Sequence, residues 1–251
     1  MALQETFEDK HRQQIIDQVA TVWGDALQSL ASPKSPKQLF NGGCLLLTRF
    51  RIVESHSVVF KHFSKPEDYG YLADGFAAKG VIHARLALDP KNPERCIDVF
   101  VTHLEARADD MRLLQYQEFA DFVEQHSAPE YPFLLLGDFN TQGMEANRND
   151  PDSAYSLFMK AMNQAVPEAS LQDVWPLLWE EELGGTTDQE SADIGKRIDY
   201  IMLGNPALPA VQLKPLSIEV KLYQDKRVAA LSDHNAVVGE FIWADRPQDE
   251  K

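Results

Sequence analysis

Pro132-Phe133-Leu134-Leu135-Leu136-Gly137-Asp138-Phe139-Asn140 is the stretch on which the fold turns. Large apolar residues in unbroken succession after a proline read as a strand covered on both faces, because a half-solvated strand would alternate. The run stops at Gly137, and an acid and an amide follow at once. Upstream, Asp109 to His126 has helical periodicity, with Leu113, Tyr116, Ala120 and Val123 on one face and Arg112, Gln115, Glu118 and Asp121 on another. Before that helix, Cys96 to Thr102 alternates Ile97, Val99 and Val101 against Asp98 and Phe100, the pattern of a strand.

The same reading extends in both directions. Strands are predicted over Cys44 to Thr48, His56 to Phe63, Gly80 to Leu88, Arg197 to Leu203 and Asn235 to Trp243, with a weaker one near Val211 to Leu222. Residues 8–30 read as a helix through Ile15, Ile16, Val19 and Trp23, closed by the prolines of Ser32-Pro33-Lys34-Ser35-Pro36. Between Asn140 and Lys196 the chain is polar and irregular, with one helix near Ala154 to Asn163, the character of a functional surface loop system. Strands joined here by helices and there by hairpin-length loops predict one α/β (α+β) domain over residues 1–251, a mixed sheet with helices outside.

Composition narrows the function. The chain has 251 residues, 44% hydrophobic and 25% charged, which is ordinary for a globular protein and unlike a disordered one. Its 24 Lys+Arg against 39 Asp+Glu leave a net charge of −15, a field that repels phosphate polyanions and disfavours non-specific nucleic-acid binding. A small phosphoester held at one compensated site remains compatible with it. Cys44 and Cys96 are too few for a disulfide framework or a cysteine-rich zinc site and read as buried free thiols. No apolar run reaches membrane-span length, and Met1 to Arg12 lacks the layout of a secretory signal; any such segment would lie upstream.

Four segments place acidic, amide or imidazole groups where an apolar stretch ends: Leu3-Gln4-Glu5, Thr102-His103-Leu104-Glu105, Gly137-Asp138-Phe139-Asn140 and Leu231-Ser232-Asp233-His234. A fifth, Arg197-Ile198-Asp199-Tyr200, puts an acid just inside a strand. If the chain stays extended, Asp138 and Asn140 point to one face and offer a hard-cation ligand beside an amide donor; the competing reading is a turn. His234 suits the deprotonation of water near neutral pH if a carboxylate holds its tautomer, and Asp199, on another strand, is a candidate. His103 is either a surface residue or a donor to phosphate, and Lys79 either a solvated strand end or a cation near substrate. Glu5 alone reads as a solvated acid ahead of a helix. Five such segments at strand boundaries are not five accidents.

LQE, THLEA, GDFN, RIDYI and SDHNAV, in this order, resemble the endonuclease/exonuclease/phosphatase superfamily of Mg²⁺-dependent phosphoesterases, from Leu3 to about Trp243. Asn41 to Phe50, and above all Asp74-Gly75-Phe76-Ala77-Ala78-Lys79-Gly80-Val81, resemble the neutral sphingomyelinase branch. The resemblance implies a four-layer α/β/β/α sandwich, two mixed sheets face to face with helices outside. It implies Glu5 as ligand to Mg²⁺ (with Mn²⁺ or Co²⁺ as substitutes) and His234 as general base held by Asp199. Asp138 and Asn140 would position nucleophile and phosphate, His103 and Lys79 would contact the phosphoester, and Asp233 would support the charge balance.

The family's N-terminal strand, which bears an Asn reaching the metal–phosphate site, has no counterpart before Leu3, so the chain is expected to be N-terminally incomplete by about one strand and its loop. Neither is an equivalent of the exposed apolar hairpin of secreted sphingomyelinases legible. The leading expectation is a phosphodiesterase releasing phosphocholine from a sphingomyelin-like lipid, with peripheral contact to a membrane. Two readings stand beside it. A nuclease of DNase or abasic-site type would need a basic track, and Lys61 with Lys65 and Lys91 with Arg95 are sparse. A catalytically impaired domain that only binds phosphoesters would follow from the absent strand.

Overall fold

The computed structural model describes residues 1–70, 73–92, 95–180, 183–187, 195–206, 211–228 and 231–245. In chain order the strands are β1 (Ala2–Leu3), β2 (Gln28–Ala31), β3 (Leu45–Thr48), β4 (Arg51–Val59), β5 (Gly80–Ala87), β6 (Cys96–His103), β7 (Phe133–Asp138), β8 (Gln172–Asp173), β9 (Asp199–Gly204), β10 (Val211–Lys221) and β11 (Ala236–Asp245). The α-helices are α1 (Asp9–Trp23), α2 (Pro66–Tyr69), α3 (Asp109–His126), α4 (Glu145–Asn149), α5 (Ala154–Ala165) and α6 (Val174–Leu178).

One layer is a six-stranded sheet of order β4-β5-β6-β7-β9-β8, mixed because β6 and β7 run parallel while their neighbours pair antiparallel. The α3 crossover makes the parallel pairing possible. The second β layer is built from an antiparallel β1-β3-β2 sheet and a β10-β11 hairpin. Alternation along β6 sends Ile97, Val99 and Val101 into the core between the layers, where they meet Leu46 of β3 and Leu213 and Ile218 of β10. Phe100 and Leu135 point the other way, onto Tyr116, Phe119 and Val123 of α3 and Phe158 of α5. β1 and β2 flank β3, so the segment carrying α1 joins the two outer strands of this sheet, and Leu45 and Leu47 of β3 are wholly buried. The arrangement is the four-layer sandwich. Cys44 and Cys96 are both buried, and no described helix is long and apolar enough to cross a membrane.

Several boundaries differ from the sequence expectation. The predicted helix 8–30 stops at Trp23, because Gly24 takes a φ of +55°, and Gln28–Ala31 become a strand on β3. The strand expected from His56 begins at Arg51, and its alternate residues Arg51, Val53, Ser55 and Ser57 stay exposed on the edge of the sheet. The buried face of α3 is also rotated. Leu113 is 41% exposed, whereas Arg112 and Gln115 are buried. Gln115 accepts from the Glu105 amide and donates to the His62 carbonyl, and Arg112 donates to the Glu105 carbonyl. Those side chains satisfy loop backbone that water cannot reach.

At the opposite end of α3 from these contacts, His126 stacks on His56 with ring centroids 4.0 Å apart, and His83 lies within 6 Å of both. His83 Nε2 meets Asp98 Oδ1 at 2.8 Å, and Arg85 also pairs with Asp98 and Glu54. Burial, His56, His83 and Arg85 lower the His126 pKa against the opposing Glu54. A depressed imidazole contributes stability above its unfolded value, and that stability is lost as pH falls below about 6.5. His126→Phe should therefore flatten the acid side of the Tm–pH curve between pH 7 and 5; a parallel curve would remove the stack from the acid response.

Candidate active site

Sheet register assembles the site. His103 is the cross-strand neighbour of Asp138 on the parallel β6-β7 ladder, and Asp138 is the neighbour of Asp199 on β7-β9. Three of the candidate side chains thus stand in a row at one end of the sheet. Gly137 is required there: its φ is +138°, and a Cβ would collide with the Thr102 carbonyl oxygen on the adjacent strand. β7 ends at Asp138, so Asn140 follows a turn, not an extended segment; its φ is +48°, and its amide donates to Asp138 Oδ1 at 2.7 Å. The turn reading of GDFN is correct in geometry, yet the turn serves the site, because Asn140 Nδ2 donates to the Leu104 carbonyl at 3.0 Å beside His103.

His234 arrives from the other β layer, in the loop before β11. Its Nδ1 lies 2.8 Å from Asp199 Oδ2. A carboxylate accepts, so Nδ1 carries the proton and Nε2 is left as the basic nitrogen. Asp199 chiefly, with Asp138 and exposed Asp233, raises the His234 pKa to about 9. Asp138 itself is raised to about 7, first by burial and then by the Asp199 charge. Ligand atoms of Asp138, Asp199 and His234 lie within 4.8 Å of one another, a metal-capable group among the described residues. Two carboxylates facing each other in a buried place, one of them driven toward protonation, are a donor set short of positive charge. An oxygen-rich set of this kind fits a hard divalent cation.

Lys79 is 4% exposed, which removes the solvated-strand reading. Its ammonium pairs with Asp74, donates to the Leu104 carbonyl at 2.8 Å and lies 3.2 Å from His103 Nε2. An ammonium only donates, so His103 Nε2 accepts and the imidazole is neutral with its proton on Nδ1. Burial, Lys79 and His234 all hold the His103 pKa well below 6.5. The 3.5 Å approach of His103 Nε2 to Asp138 is accordingly not an ion pair. His103 Nδ1 is buried with no hydrogen-bond partner among the described residues, which leaves a donor to spare.

Glu5 is exposed in a left-handed conformation, φ +58°, just after β1, and is not in the three-residue group. Its segment reaches the rim, since the Phe7 ring lies 6.5 Å from that of His103. Thr186 went unnoticed in the sequence. Its hydroxyl accepts from the Ile198 and Asp199 amides, and its carbonyl accepts from Asn235, so it joins the Asp199 strand to the His234 loop. A threonine after Gly184-Gly185 carries no sequence signal of such a role, and residues 188–194 of that irregular stretch lie outside the described ones. The turn between β10 and β11 exposes Leu222, Tyr223, Val228 and Leu231 immediately before Asp233, an apolar hairpin rim that was not legible beforehand.

A sphingomyelinase C of Bacillus cereus is 24% identical over 196 residues, covering 74% of this chain and 53% of that protein. The chain spans 37% to 53% of the lengths of the curated relatives it matches. Among solved structures, humanized D. rerio TDP2 superposes with a TM-score of 0.66 at 16% identity, covering 96% of this chain and 84% of that one. A beta toxin of Staphylococcus aureus with bound magnesium ions gives 0.61 at 16% identity, covering 94% and 84%. The model of the Endonuclease/Exonuclease/phosphatase family matches residues 1–234, from β1 to His234. The chain belongs to that family.

Proposed function

We propose that this protein is a Mg²⁺-dependent phosphodiesterase that hydrolyses a phosphocholine lipid of the sphingomyelin type by attack of water, releasing phosphocholine. The observation that carries the reading is the Asp138/Asp199/His234 group with neutral His103 beside it. Asp138, with Asp199 and with Glu5 from the rim, would hold the cation, whose charge would stabilise negative charge on the phosphoryl oxygens. His234 Nε2 takes the proton of the attacking water, and Asp199 fixes the imidazole in that tautomer and steadies its positive charge. Neutral His103 would contact the phosphoester from beside Asp138, while Asn140 orders the loop that carries Asp138. Lys79 supplies positive charge behind His103, and Asp233 adds negative charge next to His234.

The lipid substrate is supported by the similarity to the Bacillus cereus sphingomyelinase, by the net charge of −15 and by the apolar rim at Leu222, Tyr223, Val228 and Leu231. That rim suits peripheral contact with a lipid surface. Among the described residues Lys61, Lys65 and Lys91 are exposed and Arg95 pairs with Asp89, a sparse set of cations that gives DNA little support. Phosphocholine release from sphingomyelin vesicles, with Mg²⁺ and with chelator, tests the proposal. Background release in both arms would end the lipid reading; cleavage of plasmid or abasic DNA in a parallel arm would replace it by a nuclease.

A further inference from the structure

Below the row of acids lies a second, wholly buried ionic group. Arg197 and Asp173 are 1% and 6% exposed. The guanidinium grips the carboxylate with both ends, Nη1 to Oδ1 at 3.2 Å and Nη2 to Oδ2 at 2.7 Å. Asp173 also accepts from the Tyr155 hydroxyl and the Trp175 amide. Burial of two charges is expensive, and an apolar pair of similar volume often serves stability as well or better. Stability alone therefore gives no reason for this pair.

Its remaining contacts do. Arg197 Nε and Nη2 donate to the Gly143 carbonyl, the Gly143 amide donates back to the Arg197 carbonyl at 3.0 Å, and the Arg197 amide donates to Gln142 Oε1 at 2.8 Å. The Tyr200 ring lies 4.7 Å under the guanidinium, and its hydroxyl donates to the carbonyls of Thr141 and Arg197. A Cβ at Gly143 would strike both the Tyr200 hydroxyl and Arg197 Nη2. Residues 141–143 directly continue the turn of Asp138 and Asn140, while Arg197 and Tyr200 bracket Asp199. Every hydrogen bond of the guanidinium thus runs from the Asp199 segment either to Gly143, in the stretch that continues from Asp138 and Asn140, or to Asp173 on the strand beside β9.

We infer that Arg197, locked by Asp173 and stacked on Tyr200, is a positioning residue that sets the Asp138/Asn140 turn against Asp199 and so aims His234. The inference rests on the functional reading above. A planar fork fixes direction as well as charge, which a lysine ammonium does not.

Three variants separate positioning from packing. Arg197→Lys keeps a cation on Asp173 without the fork. Arg197→Met combined with Asp173→Leu replaces the ion pair by apolar volume. Tyr200→Phe removes only the phenolic donor. On bis(4-nitrophenyl) phosphate with Mg²⁺, kcat should fall about 100-fold in the two Arg197 variants and about tenfold in Tyr200→Phe, with KM within about threefold, because small misplacements of reacting groups cost of this order. The low-field proton resonance of His234 Nδ1–H, measured without substrate, should move or disappear in parallel while thermal unfolding stays cooperative. Wild-type kcat together with an unmoved resonance in Tyr200→Phe, or in either Arg197 variant that folds, would overturn the inference. If the wild-type protein turns over no phosphodiester, the functional reading fails, and the resonance alone decides the positioning role.

Discussion

Replacement of His234 by alanine is expected to lower kcat by about 10²–10⁴, the usual worth of a positioned general base, with the fold retained. The ring bonds to Asp199 and the side chain is 31% exposed, so its loss opens no core cavity. Asp199→Asn should act through the imidazole instead. Asp199 is the largest cause of the His234 pKa standing near 9, so its neutralisation moves the acid limb of the pH–rate profile downward. The maximal rate should fall as well, because an amide can present either an acceptor or a donor to Nδ1 and no longer fixes one tautomer. An Asp199→Asn enzyme with an unchanged profile would remove Asp199 from the role. Stability supplies an independent check. His234 has a folded pKa above its unfolded 6.5, so its contribution is complete below pH 6.5 and lost as pH rises through 9. His234→Ala should therefore lower Tm at pH 6 and leave it nearly unchanged above pH 9; equal losses at both pH values would contradict the raised pKa.

How far the sequence could be read depended on how locally each feature is encoded. β6 and β7 were legible because alternation and an unbroken apolar run each identify the faces of a strand, and their register then aligns His103 with Asp138. The neighbouring pairing of Asp138 with Asp199 is not local: β9 sits between β7 and β8, and only assembly brings RIDYI beside GDFN. Short elements escaped for the same reason. β8 has two residues, and Asp173 within it acquires meaning only through Arg197, 24 positions away. The rotated face of α3 shows a different failure, since periodicity counts apolar residues, whereas Arg112 and Gln115 are buried to satisfy backbone. Asn140 failed on conformation: the same-face argument assumed an extended chain, and a left-handed residue broke it.

Mg²⁺ should bind more tightly as pH rises through 7, and binding should release protons. The reason lies in Asp138, whose pKa is near 7 because burial and the Asp199 charge disfavour its ionised form. A cation must displace that proton, so below pH 7 the affinity should fall by up to about tenfold per pH unit for one linked proton. His234 pushes in the same direction, because its imidazolium, held up to about pH 9, opposes a second positive charge nearby. The stability linkage has a definite sign. Asp138 is an acid with a folded pKa raised from 3.8, so the folded protein favours its protonated form and loses stability as pH rises from about 4 to 7. The uncompensated carboxylate is then a cost that a cation offsets. The rise in Tm on adding Mg²⁺ should accordingly be larger at pH 8 than at pH 6. Asp138→Asn should weaken Mg²⁺ binding and flatten its pH dependence, since an amide neither loses a proton nor carries charge. Titration calorimetry in buffers of different ionisation enthalpy counts the protons released. Equal affinity at pH 6 and pH 8 with no proton release would place the cation away from Asp138, and Glu5 at the rim would then be the ligand to test next.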